Sequence, residues 1–258
     1  MQWRRSAALA RHDLRLLRSD PAIPVILTVM PLVIMAFLKP ALRASLVLHG
    51  EVGANGAEQA VPGISVMFAT FMMGNLGVGV FREHAWATWE RLRASPATAG
   101  EIMVGKVVVP VLTLLVQLAL LFGVGGLAFG LRVRGSIVGV LLIIAALALC
   151  LAALGTLVLA VCRSINQLNA FTNVGAMTLT GLAGAITPFY GLPGWAQAIA
   201  PATPTYWAMR GFRSVTLSDG GVGTVLLPVT MLLAFAAAFG VLAAVRFRAE
   251  DTKVNSSV

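Results

Sequence analysis

Long apolar runs separated by short charged gaps set the pattern of this chain. Runs at about residues 22–38, 61–81, 107–131, 135–162, 167–187 and 221–245 carry almost no charge. A membrane core about 30 Å thick needs roughly 20 apolar residues to cross it as a helix. Each run is near that length, so the pattern predicts six transmembrane helices. The first is short and interrupted by Pro24 and Pro31.

Ahead of the first run, residues 1–20 read differently. Trp3, Ala7, Ala10, Leu14 and Leu17 recur at helical spacing, while Arg4, Arg11, Arg15 and Arg18 follow one position later. Such a helix lies in the headgroup layer with its apolar face inward, and Pro21 marks the turn into the membrane. A secretory signal peptide fits less well, because the basic leader is long and no small-residue cleavage site follows. Residues 164–209 contain no charge over 46 positions. That is too long for one crossing and too rich in proline for two ordinary ones. The part up to about 187 reads as the fifth span. The part broken by Pro188, Pro193, Pro201 and Pro204 reads as an outer re-entrant segment over 188–212, where irregular backbone must be covered by protein or line a cavity.

Composition agrees. Of 258 residues, 58% are hydrophobic and 11% charged, with a mean hydropathy of +0.88; a soluble domain carries about 25% charge. The net charge of +9 does not indicate nucleic acid, since the basic residues sit in the gaps between apolar runs and form no patch with interleaved aromatics. Their distribution gives orientation. With the N-terminus inside, Arg4, Arg5, Arg11, Arg15, Arg18, Arg82, Arg91, Arg93, Lys106, Arg163, Arg246, Arg248 and Lys253 are inner, 13 of 19 basic residues. Lys39, Arg43, Arg132, Arg134, Arg210 and Arg213 are outer. The bias places both termini in the cytoplasm of a multi-pass protein of the cell membrane. No soluble domain or internal repeat interrupts residues 1–258, which read as one all-α membrane domain.

Several chemistries lack their residues. No Asp or Glu falls within the proposed bilayer cores, which argues against proton coupling but not against sodium coupling through carbonyls and hydroxyls. No phosphate-binding G-x-x-x-x-G-K-[ST] loop is present. Cys150 and Cys162 lie roughly 18 Å apart along one helix, too far for a disulfide. His12, His49 and His84 have no ligands at metal-binding spacing. No nucleophile, acid and base cluster at one depth, so a membrane-embedded enzyme is the weakest reading.

The substantial inner loop spans residues 82–106. Glu83, Glu90, Arg91, Arg93 and Glu101 alternate in sign, and Trp86, Trp89 and Leu92 form an apolar side. Spacing alone allows a loop anchored at the interface or a short helix docking into a groove on a motor protein. In the fifth span, Asn166, Asn169, Asn173, Thr180 and Gly184 share a face, as do Phe68, Phe71, Asn75 and Val78 in the second. The polar stripe serves either interhelical hydrogen bonding or a transport route. Methionines and phenylalanines of the second span suit adaptable apolar contacts.

The loop resembles the cytoplasmic loop of the type-2 ABC transporter (ABC-2-type) permeases. Arg82-Glu83, Thr88, Glu90, Leu92, Ser95-Pro96 and Gly105-Lys106 match that pattern in order, with Ala87 in place of its glycine and Trp89 at an aliphatic position. A second stretch, Gly184 to Phe212, resembles the family's segment after the fifth span: Pro188, then Leu192-Pro193-Gly194-Trp195, then Pro201 and Pro204. The resemblance implies a homodimer of six-span subunits, each gripping a cytoplasmic ATP-binding-cassette ATPase, two copies in all. ATP and Mg would sit on that partner and no cofactor in this chain. It implies ATPase coupling through Glu83, Thr88, Glu90, Arg91, Leu92, Ser95 and Pro96. The outer gate would be Pro188, Leu192, Pro193, Trp195 and Pro204, and Phe71, Asn75, Asn169, Asn173 and Thr180 become candidates for the translocation pathway. The expected function is export of an amphipathic or hydrophobic drug, natural product or lipid. A stand-alone channel or sodium-coupled carrier is the rival, and it leaves the loop pattern without a purpose.

Overall fold

A computed structural model describes residues 11, 14–16, 19, 21–74, 81 and 99–246. Among them all regular structure is helical. The helices are α1 (Ala22–Leu48), α2 (Ala57–Met72), α3 (Ala99–Phe129), α4 (Ile137–Val161), α5 (Ile165–Leu182), α6 (Gly194–Ile199), α7 (Pro204–Thr216) and α8 (Val222–Arg246). Two 3-10 turns, Phe189–Gly191 and Ala200–Ala202, flank α6. Of the predicted interfacial helix, only Arg11, Leu14, Arg15, Leu16 and Ser19 fall within the described residues, all helical.

Four helices are long and apolar enough to cross a membrane among the described residues: Ala22–Leu48, Gly105–Phe129, Ile137–Val161 and Val222–Arg246. Their outward faces are apolar; Leu127, Phe37 and Val245 stand 92%, 79% and 74% exposed, as lipid-facing side chains do in a chain viewed without its bilayer. α4 and α8 form the most extensive helix pair.

α2 occupies the middle. Every residue from Ala57 to Met72 except Phe71 is buried, enclosed chiefly by α1, α3, α5 and α7. Small residues permit this: a Cβ on Gly63 would overlap the Ala185 carbonyl oxygen, so α2 slides directly under the turn that follows α5. Asn55 and Glu58 secure the N-terminal end. The Glu58 carboxylate accepts the Asn55 and Gly56 amides at 3.0 and 3.1 Å, and the Asn55 side chain accepts the Ala57 amide at 2.8 Å. A carboxylate at a helix N-terminus is stabilised by the orphan amides there.

Prolines inside helices free carbonyls four residues earlier, and in a membrane those carbonyls need a new donor. Pro31 of α1 frees the Leu27 carbonyl, which Gln117 of α3 fills with its side-chain N–H at 2.7 Å. Pro62 of α2 frees the Glu58 carbonyl, toward which the Thr216 hydroxyl of α7 points at 3.4 Å. In both cases the breaker in one helix becomes a bond to another.

Boundaries depart from the sequence reading at four places. α2 starts at Ala57, not 61, because Gly56 turns the chain and Asn55 and Glu58 bond the first amides. α1 does not stop near residue 38 but runs through Pro40 and Arg43 to Leu48. The Lys39 ammonium that looked like a terminus instead reaches across to donate to the Phe129 carbonyl at 2.7 Å. At about 1.5 Å per residue, 27 residues make a rod near 40 Å, longer than the bilayer core. α3 starts at Ala99, so Lys106 lies within a helix and not in a loop. α5 ends at Leu182, not 187. Gly184 (φ +70°) closes it, its amide bonding the Gly181 carbonyl while the Ala185 amide bonds that of Thr180, both at 3.1 Å. This double bond with a left-handed glycine is a Schellman stop.

Candidate functional site

α5 begins on a well-formed cap. The Ser164 hydroxyl accepts the Gln167 amide at 3.3 Å, and the Gln167 side-chain oxygen accepts the Arg163 amide at 3.0 Å. The second bond falls one residue ahead of the N-cap, and the two together fix the entry of the helix. Leu168, Thr172, Ala176 and Thr180, four residues apart, are its buried line, turned toward α2. Asn166, Asn169 and Asn173 are exposed, along with the apolar Phe171, Val174 and Met177. The stripe seen in the sequence therefore divides into a buried part and an open part.

A cavity of about 270 Å³ opens at the junction of three helices. Ile23, Ile26 and Leu27 of α1 line one side, Phe71 and Gly74 at the end of α2 another, and Asn169, Thr172 and Asn173 of α5 the third. Phe71, the one residue of α2 that is not fully buried, faces this space. Gly74 keeps the two helices close, since a Cβ there would lie 2.5 Å from the Thr172 methyl carbon. The Thr172 hydroxyl oxygen is buried and has no hydrogen-bond partner among the described residues. A buried hydroxyl left unpaired is unfavourable, and here it lies at the wall of a space large enough for part of an amphipathic molecule. The wall is apolar on the α1 side and amide-bearing on the α5 side.

Of the predicted pathway residues, Phe71, Asn169 and Asn173 meet in this cavity. Thr180 does not. It is two helical turns from Asn173, fully buried, and its hydroxyl is spent on the Ala176 carbonyl at 2.6 Å, so there the stripe is packing. Asn75 lies outside the described residues, as do the coupling residues Glu83, Thr88, Glu90, Arg91, Leu92, Ser95 and Pro96. Sequence reasoning passed over Ile23, Ile26 and Leu27, which look like any span residues, and Thr172, whose spacing from Leu168 and Ala176 was the available signal.

The segment between α5 and α8 is broken as its prolines require. Pro188 precedes the first 3-10 turn, Pro193 caps α6, and Pro204 opens α7, where its missing N–H costs nothing. The Leu192 carbonyl accepts the Gln197 side chain at 2.8 Å. Trp195 is 66% exposed, whereas Trp207 is buried and donates its indole N–H to the Pro201 carbonyl at 2.9 Å. α7 packs against α8, α4, α2 and α5, and the Thr205 hydroxyl donates to the Leu179 carbonyl at 2.6 Å. Its rings form a run: Phe189 to Tyr206 at 5.1 Å, Tyr206 to Trp207 at 5.3 Å, with Arg210 5.2 Å from the Trp207 centroid.

Lipid-facing helices around a buried central helix, with a mixed apolar and amide-bearing recess where three helices meet, define a polytopic membrane protein. The chain belongs to the ABC-2 type transporter family, whose pattern it matches over residues 6–217. It is similar to the linearmycin resistance permease protein LnrN of Bacillus subtilis, with 26% identity over 201 residues, 77% of this chain and 52% of that protein. It is also similar to the probable multidrug ABC transporter permease YbhR of Escherichia coli K12, with 26% identity over 73% of this chain and 51% of the relative. The chain spans about half the length of these curated relatives.

Proposed function

We propose that the chain is the permease of an ATP-driven exporter that moves an amphipathic or hydrophobic compound out of the cytoplasm or inner leaflet. The observation that carries this reading is the cavity shared by α1, α2 and α5. It offers Ile23, Ile26, Leu27 and Phe71 to an apolar body and Asn169, Asn173 and the unpartnered Thr172 hydroxyl to a polar group. Resistance-associated relatives support a toxic natural product or drug as cargo.

In this reading six helices cross the membrane, α2 and α5 included, with both termini cytoplasmic in the cell membrane. The segment from Pro188 to α7 dips back from the outer face. The exposed α5 face with Phe171, Val174 and Met177 meets a second copy of the chain across the central seam. A separate ATP-binding-cassette subunit, two copies per complex with ATP and Mg bound there, pushes on residues 82–106. Glu83, Thr88, Glu90, Arg91, Leu92, Ser95 and Pro96 transmit the movement, and Pro188, Leu192, Pro193, Trp195 and Pro204 shape the outer exit.

The test is reconstitution in proteoliposomes with and without the ATPase subunit that copurifies from native membranes. Cargo movement that requires both proteins and ATP supports the proposal. Equal movement by this chain alone makes it a channel or carrier and refutes the exporter reading.

A further inference from the structure

Arg213, in the last turn of α7, is a cation without a counter-ion among the described residues. Among the described residues its buried Nε has no hydrogen-bond partner and its guanidinium makes no ion pair. What surrounds it is aromatic. The Phe189 ring centroid lies 5.8 Å from its Cζ, and Tyr190 and Tyr206 are the titratable groups that act on it electrostatically. Tyr190 in turn stacks at 4.6 Å on His49, at the end of α1. Burial pushes the Arg213 guanidinium down from its ordinary range, the two tyrosines opposing that shift, yet an arginine remains charged at any physiological pH.

A half-buried charge with a dry Nε is left partly unanswered unless an anion meets it. Cation–π contact recovers only part of the lost hydration. Glu51 is the nearby carboxylate, but it lies on the Tyr190 side: burial raises the Tyr190 hydroxyl, Arg213 opposes that and Glu51 adds to it; among the described residues Glu51 makes no ion pair with Arg213. The guanidinium fork suits two oxygens of a phosphate or carboxylate, and the rings around it suit the first carbons of an attached chain.

We propose that Arg213, with Phe189, Tyr190 and Tyr206, forms a binding site for the anionic head of an amphipathic molecule, at the opposite end of α5 from the Asn169 cavity. The site is independent of the exporter reading, because occupancy needs neither nucleotide nor an ATPase.

The experiment uses the full chain in phosphatidylcholine nanodiscs doped with lipids brominated on the acyl chain, reading quenching of tryptophan fluorescence. Trp195 and Trp207 lie in the same segment. Brominated phosphatidylglycerol and a brominated fatty acid should each compete at least tenfold better than brominated phosphatidylcholine. Arg213→Gln should bring that ratio near one, Arg213→Lys should keep part of it, and Arg210→Gln should keep most of it. Soluble glycerol phosphate at millimolar concentration separates the sources: displacement identifies a free phosphate as occupant, and no displacement identifies a lipid headgroup. A ratio near one in the native chain, or a ratio unchanged in Arg213→Gln, overturns the site. So does strong coupling between Glu51→Gln and Arg213→Gln in the stability of the lipid-free chain, which would make Glu51 the counter-ion.

Discussion

Single polar atoms separate packing from transport in this molecule. Thr180 is buried with its hydroxyl bonded inside α5, whereas Thr172, two turns earlier on the same line, has an unpartnered hydroxyl at a cavity wall. Thr172→Val keeps the shape and removes that unsatisfied group, so thermal stability should hold or rise slightly. Transport of a cargo with a polar group should fall several-fold, and Thr180→Val should leave transport rates near native. Equal transport in both variants would return Thr172 to a packing role. Gln117 offers a second case. Its N–H fills the Leu27 carbonyl that Pro31 frees, and Leu27 itself lines the cavity. Gln117→Ala should lower stability by about 1 kcal/mol, the scale of interhelical bonds in membranes, measurable as a drop in melting temperature in detergent.

At the scale of elements, stops matter more than spans. α5 ends where Gly184 adopts φ +70°, with the Phe189 backbone nitrogen 2.9 Å from where a Cβ would sit. Gly184→Ala should therefore cost at least roughly 1–2 kcal/mol of left-handed strain and loosen the Phe189–Tyr206 contact; limited proteolysis between residues 183 and 193 reports it. The inner segment proposed to meet the ATPase, whose last residues from Ala99 on belong to α3, is the other element to test. Glu90→Ala with Arg91→Ala should cut cargo-stimulated ATP hydrolysis by the partner while membrane insertion stays native. Stimulation that survives the double change would remove those two residues from the coupling path. The long α1 and the early start of α3 were hidden because Lys39 and Lys106 were treated as ends of apolar runs. A lysine on a helix need not end it: Lys39 reaches a carbonyl of another helix, and the backbone continues beneath it.

For the whole molecule, α2 decides the arrangement. A helix carrying Glu58, Gln59, Ser65 and Thr70 is buried on nearly every side, and its hydrophobicity alone does not announce that position. Gln59 donates to the Gly184 carbonyl at 2.7 Å, and a Cβ on Gly125 would come within 2.7 Å of Val61. α2 is thus locked between α5 and α3. Gly63→Leu, which forces α2 off the Ala185 carbonyl, should prevent stable folding; size-exclusion of the detergent-solubilised chain would then show aggregate and not the single sharp peak of the native chain.

The linear pattern determined the membrane environment, the helical class and the family, because lipid selects apolar runs by length and composition and the family's short patterns lie in contiguous residues. It also picked out Phe71, by the face it shares with Phe68, and Asn169 and Asn173, whose amides are unusual in a bilayer. What only the folded chain decided was which of those polar groups find partners. Whether a threonine is satisfied, or an arginine lacks its anion, depends on atoms from helices far apart in sequence: Leu27 against Gln117, Gly63 against Ala185, Phe189 against Arg213.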